Sequence, residues 1–125
     1  MILADTSVWI DMFRKGRFKA ELEKLITNDQ LCIHPCVVAE LSCGSLPDRK
    51  KTLTYLDKLT SLPVVRLADV QIMIEARGLW AKGIGLTDVQ LIASCLATAG
   101  TRIWTLDGPL GRVAESLGIR AALPD

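Results

Sequence analysis

A short apolar run near the start of the chain ends in a carboxylate, and this junction constrains the fold more than any other feature. Ile2, Leu3 and Ala4 are followed by Asp5, and then by a segment from Ser7 to about Arg14 with the apolar spacing of an amphipathic helix. A short apolar strand that leads into a helix is typical of a parallel sheet covered by helices. In such folds, binding sites form at the carboxyl edge of the sheet. Asp5 is therefore the first candidate site residue.

The alternation of short apolar runs and helical stretches continues along the whole chain. It predicts an α/β fold: a three-layer α/β/α sandwich with a central parallel sheet of four to five strands. The predicted strands are 2–4, 31–33, 64–65 and 103–104, with an edge strand beginning at Ile119. Predicted helices cover 7–14, 18–26, 70–82 and 89–99. Three further helices are predicted to begin at Pro35, after Asp48 and at Pro109. Asp48 and Thr87 are the predicted N-caps of the helices that follow them. No linker or repeat interrupts the 125 residues, which predicts one domain over 1–125.

Composition limits the classes of protein to which the chain can belong. Hydrophobic residues make up 50% and charged residues 23%, which predicts a protein with a substantial core. The net charge of +1 does not identify a polyanionic partner. Two basic stretches, 14–19 and 49–51, are suited to phosphate contacts or are solvated helix ends. No apolar run approaches the length of a membrane span and no signal-peptide pattern is present, so a cytoplasmic protein without membrane contact is expected.

The cysteines predict free thiols rather than disulfides. Cys32, Cys36, Cys43 and Cys95 contain no C-x-x-C pair, and a chain of this size has core enough without covalent bridges. A zinc site built from Cys32, His34 and Cys36 is an alternative. Its spacing is unfavourable, because Cys36 follows Pro35 and leaves the strand that carries the other two.

Three further acids stand at positions comparable to Asp5, and the set predicts a divalent-metal site. Asp88 and Asp107 lie at the beginnings of predicted helices, and Glu40 lies within the predicted helix that begins at Pro35. Singly, the aspartates are explained by helix capping, and Glu40 by a salt bridge to Arg49 or Lys50. Together at one sheet edge they would repel one another unless cations intervened. Carboxylate oxygens suit hard cations such as Mg²⁺ or Mn²⁺.

The chain resembles the PIN-domain family, and within it the VapC-type ribonuclease toxins of toxin–antitoxin pairs. Four stretches carry the resemblance, in the order and spacing of the family: 1–11 (MILADTSVWID), 38–41 (VAEL), 86–93 (LTDVQLIA) and 105–107 (TLD). No single stretch is specific, but the ordered set is. One departure is Gly108-Pro109, where many relatives carry a basic or aromatic residue.

The resemblance implies a function and a set of site residues. It implies a PIN-like α/β/α domain with Mg²⁺- or Mn²⁺-dependent endoribonuclease activity, an RNA substrate, a homodimer and a cognate antitoxin protein. By position, Asp5, Glu40, Asp88 and Asp107 match the acidic catalytic and metal-binding quartet. Thr6 and Thr105 match hydroxyls that steady the site.

Other interpretations remain open at the level of sequence. A degenerate PIN-like module that binds RNA or protein without cutting is one alternative, and a receiver-type phosphoacceptor domain is another. A receiver needs an acidic pair after the first strand, whereas here Thr6 follows Asp5. Trp9 and Trp104 are candidates for base stacking, with core packing favoured. Val8, Ile10, Phe13 and Leu56 would suit a groove for an antitoxin helix or ordinary core.

Overall fold

Four parallel strands form the centre of the computed structural model, which describes residues 1–125. The strands are β1 (Ile2–Ala4), β2 (Leu31–Ile33), β3 (Thr60–Ser61) and β4 (Arg102–Trp104), and their order in the sheet is β3-β2-β1-β4. The middle strands β1 and β2 are almost wholly buried, as their uninterrupted apolar sequences predict. The α/β/α architecture expected from the alternating pattern is confirmed.

Seven helices surround this sheet. They are α1 (Thr6–Lys15), α2 (Lys19–Thr27), α3 (Pro35–Ser42), α4 (Arg49–Asp57), α5 (Leu67–Arg77), α6 (Leu86–Ala97) and α7 (Gly108–Ser116). Helix α3 contacts α1, α4 and α6, whereas α2 packs against β2 and α7 against β4. The main core contains 24 buried residues drawn from nearly all of these elements. None of the helices is long and apolar enough to cross a membrane.

The parallel register aligns the carboxyl ends of the central strands. Ala4 lies opposite Trp104, and the backbone N–H of Asp5 donates to the carbonyl oxygen of Trp104 over 3.0 Å. Asp5 is thereby placed beside Thr105, although 100 residues separate the two in the chain. The sheet edge that carries the candidate site is built by this pairing.

The predicted strand at Val64–Val65 is wrong, and a buried amide explains why. The third strand is Thr60–Ser61, and residues 64–65 leave the sheet. The Gln90 side chain accepts from the Val65 N–H over 2.9 Å and donates to the Val65 carbonyl over 2.6 Å. The Ser94 hydroxyl likewise donates to the Pro63 carbonyl over 2.8 Å. Side chains of α6 therefore satisfy backbone groups that a neighbouring strand would otherwise have paired.

Several predicted element ends also differ from the structure. Helix α5 ends at Arg77, because Gly78 adopts a left-handed φ of 64°, and Trp80 beyond it is 59% exposed rather than packed inward. The N-cap of α6 is Gly85, not Thr87. Asp48 precedes α4 but makes no side-chain capping bond. The edge strand expected from Ile119 is reduced to one bridge, between Ile103 and Arg120.

The cysteines are free, as predicted. Cys32 and Cys95 are buried, and burial raises the pKa of the Cys32 thiol to about 11 and that of Cys95 to about 12. Thiols with such high pKa values stay protonated at neutral pH and are poor metal ligands. The zinc alternative is further weakened because both ring nitrogens of His34 already have protein partners.

We expect His34 to make the fold acid-sensitive. Its ring is fully buried: Nδ1 accepts from the Cys36 N–H over 3.0 Å, and Nε2 lies 2.8 Å from the Ser94 hydroxyl. Since that hydroxyl donates to Pro63, Nε2 must carry the proton, and the ring is neutral. Burial lowers the pKa of His34 below its ordinary value of 6.5.

The sign of the pH effect follows from proton uptake. Below about pH 6.5 the unfolded chain binds a proton at His34 that the folded chain does not. The free energy of unfolding therefore decreases as the pH is lowered, by at most ~1.4 kcal/mol for each pH unit. Melting temperatures of wild type and His34→Asn from pH 8 to pH 5 isolate this decline, because Asp5 and Asp88, whose pKa values are raised, act in the opposite direction in both proteins. In His34→Asn, which keeps an N-cap acceptor, the decline should be shallower. Equal slopes in the two proteins would contradict the prediction.

Candidate active site

The four predicted acids are carried by four different elements. Asp5 follows β1 and is the N-cap of α1, and Asp107 is the N-cap of α7, three residues beyond the end of β4. Asp88 lies in the first turn of α6, and Glu40 lies on α3. The capping explanation therefore holds for Asp5 and Asp107, but it does not account for their common surroundings.

Asp5 is the buried member of the set, with 5% of its surface exposed. One carboxylate oxygen accepts from the Ser7 hydroxyl and from the Val8 N–H, and the other accepts from the Thr105 hydroxyl. The Ser7 oxygen in turn accepts from the Leu106 N–H over 3.0 Å. These bonds connect the residues after β1 with those after β4, so they hold Asp5 in one orientation.

Glu40 is joined to the same segment through a hydroxyl. The Thr6 Oγ1 donates to the Glu40 Oε1 over 2.7 Å. The expected salt bridge to Arg49 or Lys50 is wrong, because the Arg49 guanidinium donates instead to the carbonyl oxygens of Ser42 and Gly44. Glu40 is also exposed, so its charge carries no large cost of burial that a salt bridge would have to offset.

The remaining two acids follow a common pattern in which one oxygen is bound and the other is not. The Asp107 Oδ2 accepts from the Leu110 N–H over 2.9 Å, and the Asp88 Oδ2 accepts from the Gly85 N–H over 3.4 Å. Glu40 repeats the pattern, with Oε1 held by Thr6. Each of these three side chains is thus fixed by the protein and keeps a second oxygen for another ligand.

Electrostatics indicate that the four carboxylates lie near one another. The pKa of the Asp88 carboxyl is raised, first by burial and then by repulsion from Asp107, Asp5 and Glu40, while the Gly85 N–H opposes the rise. Burial raises the pKa of Asp5, although the hydroxyl and N–H groups that donate to its carboxylate lower it. None of the four belongs to an ion pair within the chain. No direct ion pair with the protein therefore neutralises the negative charge of the cluster.

The carboxylate oxygens of the four acids are suitable ligands for a hard divalent cation, although they do not form a complete coordination shell. No group of three or more His, Cys, Asp or Glu side chains already surrounds a single point at ligand distance. Mg²⁺ does not require such a cage, because it keeps several waters and binds through one or two carboxylates. The fixed carboxylates with spare oxygens, none of which forms an ion pair with Lys or Arg, match that mode of binding.

Comparison with known proteins agrees with this architecture. The sequence model of the PIN domain matches residues 2–116. The chain belongs to the PIN-domain family. Ribonuclease VapC32 of Mycobacterium tuberculosis is 37% identical to this PIN domain over 122 residues, which cover 98% of the chain and 97% of the relative. Ribonuclease VapC11 of the same species and VapC ribonuclease Mb1587 of Mycobacterium bovis are each 32% identical over an alignment of 134 positions, gaps included, which covers 98% of this chain and 98% of each relative.

Family membership and the structure decide several of the open alternatives. The receiver-type interpretation is set aside, because the PIN match extends over nearly the whole chain. Trp9 and Trp104 are each 1% exposed, so neither is free to stack on a base. Val8 and Leu56 are fully buried in the core, whereas Ile10 and Phe13 line a small cavity of about 60 Å³ beside Glu40. Of the two interpretations that the sequence left open, Val8 and Leu56 therefore belong to ordinary core.

Sequence reasoning missed one member of the PIN domain's site. Ser7 donates to Asp5, accepts from Leu106 and lies 3.5 Å from the Thr105 hydroxyl, so it connects more of the site than Thr6 does. The signal was available in Asp5-Thr6-Ser7, where two hydroxyls follow the acid. Thr6 and Thr105, which were predicted, contact Glu40 and Asp5 respectively.

Proposed function

We propose that this PIN domain is a metal-dependent endoribonuclease and the toxin of a type II toxin–antitoxin system. The observation that carries the proposal is the group of four acids at one sheet edge, coupled in charge and without a protein counter-ion. The relatives of similar length, which are named ribonucleases, support the same reaction. We infer further that residues 1–125 act as a single domain.

Asp5 and Asp88 are the direct ligands that we propose for Mg²⁺ or Mn²⁺. Glu40 and Asp107 are further ligands, ligands through water, or bases that orient water. When bound, the metal lowers the pKa of coordinated water and stabilises the entering and leaving oxygens of a phosphodiester. The negative charge and the oxygen ligands of the cluster would favour a hard divalent ion.

The chain's own residues contribute orientation and proton handling. Ser7 and Thr105 hold both oxygens of Asp5, and Thr6 holds one oxygen of Glu40. In hydrolysis a water oxygen bonds to phosphorus, the P–O bond to one ribose breaks, and the departing oxygen gains a proton. The unbound oxygens of Glu40 and Asp107 are the protein sites available to take the proton of the attacking water.

The proposed partners are an RNA strand, a cognate antitoxin and a second copy of the chain. RNA as substrate makes the cytoplasm the proposed location. Leu67 and Ile72 on α5 are 64% and 66% exposed, and apolar surface of this kind supports a homodimer. The cavity beside Ile10 and Phe13 borders Glu40, so an antitoxin segment seated there would obstruct the site.

Metal-dependent cleavage is the experiment that tests the proposed activity. Purified protein incubated with a mixed pool of single-stranded RNA should cleave it in Mn²⁺ or Mg²⁺, and the rate should fall at least roughly tenfold in EDTA. Asp88→Asn, purified in parallel, should be inactive, which excludes a contaminating nuclease. RNA binding without metal-dependent cleavage would instead support the degenerate binding module. Equal cleavage by the wild type and the variant would overturn the proposal.

A further inference from the structure

A second cavity, of about 370 Å³, lies between the end of α5 and the helix α7. We name it the α5–α7 cavity. One wall is a single face of α7, since its residues recur at helical spacing: Pro109, Arg112, Val113, Ser116 and Leu117. The opposite wall is formed by Arg77, Gly78 and Leu79 at the end of α5, and by Lys82.

Three cations line the α5–α7 cavity and no acid does. Arg77, Lys82 and Arg112 are exposed, and none forms an ion pair or a side-chain hydrogen bond within the chain. Arg77 lies in the last turn of α5, where the helix dipole stabilises a cation, but this effect does not explain Lys82 and Arg112. Like charges around one cavity repel one another, so an anion bound among them would be stabilised.

The α5–α7 cavity adjoins the acidic site through the backbone. Pro109, in its wall, lies two residues after Asp107. The loop that carries Lys82 runs on to Gly85, whose N–H holds Asp88. A Cβ placed on Gly83 in this loop would lie 3.4 Å from the Cβ of Pro109, so the loop packs directly against the start of α7. The same loop and helix therefore position two of the acids, Asp88 and Asp107, and two of the three cations, Lys82 and Arg112.

An exposed indole borders the α5–α7 cavity. Trp80 is 59% exposed, and its ring lies 3.7 Å from the position of a Cβ on Gly78, a residue of the cavity wall. A large aromatic side chain left in solvent beside unpaired cations is a common arrangement for binding single-stranded nucleic acid, because bases stack on the ring while phosphates meet the charges.

We propose that the α5–α7 cavity binds the phosphate backbone of single-stranded RNA next to the scissile bond, with one base of that strand stacked on Trp80. The proposal rests on the ribonuclease function proposed above. It gives each part of the strand a chemically suitable partner: the scissile phosphate meets the metal-binding acids, and its neighbour meets Arg77, Lys82 and Arg112. The departure at Gly108-Pro109 fits this division, because the guanidinium of Arg112, one turn further along α7, reaches back to within 3.2 Å of the position of a Cβ on Gly108.

Removal of the three charges tests the cavity. The variant Arg77→Gln/Lys82→Gln/Arg112→Gln should bind a labelled pool of single-stranded RNA at least tenfold more weakly than wild type, measured by fluorescence anisotropy in EDTA so that no cleavage occurs. The slope of log affinity against log salt should also decrease by about 2, since each phosphate contact on a single strand contributes about 0.7. Circular dichroism and thermal melting verify that the variant is folded.

A matched control removes the same charge elsewhere. Lys50, Lys51 and Lys58 line a different open cavity, on α4, and Lys50→Gln/Lys51→Gln/Lys58→Gln lowers the net charge by the same amount. This control should change RNA affinity less than twofold, which would assign Lys50 and Lys51 to a solvated helix end rather than to phosphate contacts, the other interpretation of the stretch 49–51. Equal losses in the two triple variants would assign RNA binding to overall charge and overturn the α5–α7 site.

Trp80→Ala tests the stacking contact separately. RNA affinity should fall roughly five- to a hundredfold, the range of single base–aromatic contacts, and Trp80→Phe should recover part of the loss. Light scattering should give the same oligomeric state for wild type and variant. A changed oligomeric state with unchanged RNA affinity would assign Trp80 to a protein interface and overturn the stacking proposal.

These measurements separate failure of the cavity from failure of the nuclease. If the wild type binds RNA through the cavity but cleaves no RNA in Mn²⁺, the proposed RNA site is supported and the proposed nuclease activity is overturned. Wild type that cleaves RNA while the triple variant retains full affinity overturns the cavity alone. Wild type that binds no RNA in EDTA overturns the cavity whatever its cleavage activity.

Discussion

Asp5→Asn should reduce metal-dependent RNA cleavage by roughly 10³-fold or more, because loss of about 4 kcal/mol of transition-state stabilisation by a metal site corresponds to a factor of that size. Asp5 is the buried acid at the centre of the network, and both of its oxygens are held by hydroxyl donors. An amide of the same shape keeps one acceptor oxygen but removes the charge that binds the cation. The effect should therefore appear in kcat as well as in metal affinity.

The same substitution should stabilise the metal-free protein. Burial raises the pKa of Asp5 above the unfolded value of 3.8, so at neutral pH the ionised carboxylate destabilises the fold. Asp5→Asn removes this cost, and its melting temperature in EDTA should rise by a few degrees. Millimolar Mn²⁺ should then raise the melting temperature of wild type, since the ion binds only the assembled site, and should leave the variant nearly unchanged.

Asp69→Asn provides the matched control for this prediction. Asp69 lies on the surface of α5 and pairs with Arg66, at 50% and 80% side-chain exposure respectively, so the same chemical change occurs at an exposed residue outside the acidic cluster. Activity, metal response and melting temperature should all stay near wild type. A fall in activity of Asp5→Asn that is matched by a fall in its melting temperature would indicate unfolding and contradict the assigned role.

The parts of the fold that were predicted correctly are those where local pattern and tertiary environment agree. The strand at 31–33 is a bounded apolar run, and it is buried on both faces in the sheet. Residues 64–65 have the same local character, yet they are not a strand. Their backbone is bound by Gln90, 25 residues away, and no local pattern reveals a side chain at such a distance.

The candidate site divides in the same way. The positions of Asp5 and Asp107 follow from their places after apolar strands, so each was predicted from its own neighbourhood. The exposure of Glu40 could not be predicted, because helical periodicity does not say how far a helix projects beyond the sheet edge. The α5–α7 cavity was not predicted at all. Its cations lie at 77, 82 and 112, and only the packing of a loop against α7 brings them to one place.

Trp104→Ala should destabilise the protein by about 3–5 kcal/mol, the usual cost of truncating a buried aromatic residue to alanine. Trp104 is 1% exposed at the end of β4, its ring packs edge-on against Phe18, and its Nε1 donates to the Pro124 carbonyl over 2.7 Å. Because small domains have a total stability of about 5–15 kcal/mol, this one change should unfold a measurable fraction at moderate temperature.

Comparison of tryptophans distinguishes a packing role from an RNA-binding role. Trp104→Ala should lower the urea midpoint strongly, and Trp104→Phe, which keeps most of the buried surface, should lower it much less. Trp80→Ala should change the midpoint little, since the ring is 59% exposed. RNA affinity should show the opposite pattern: Trp80→Ala should weaken it, and the folded fraction of Trp104→Phe should retain it. A stable Trp104→Ala protein that fails to bind RNA would show that this buried indole reaches the substrate, and would contradict the packing observed around it.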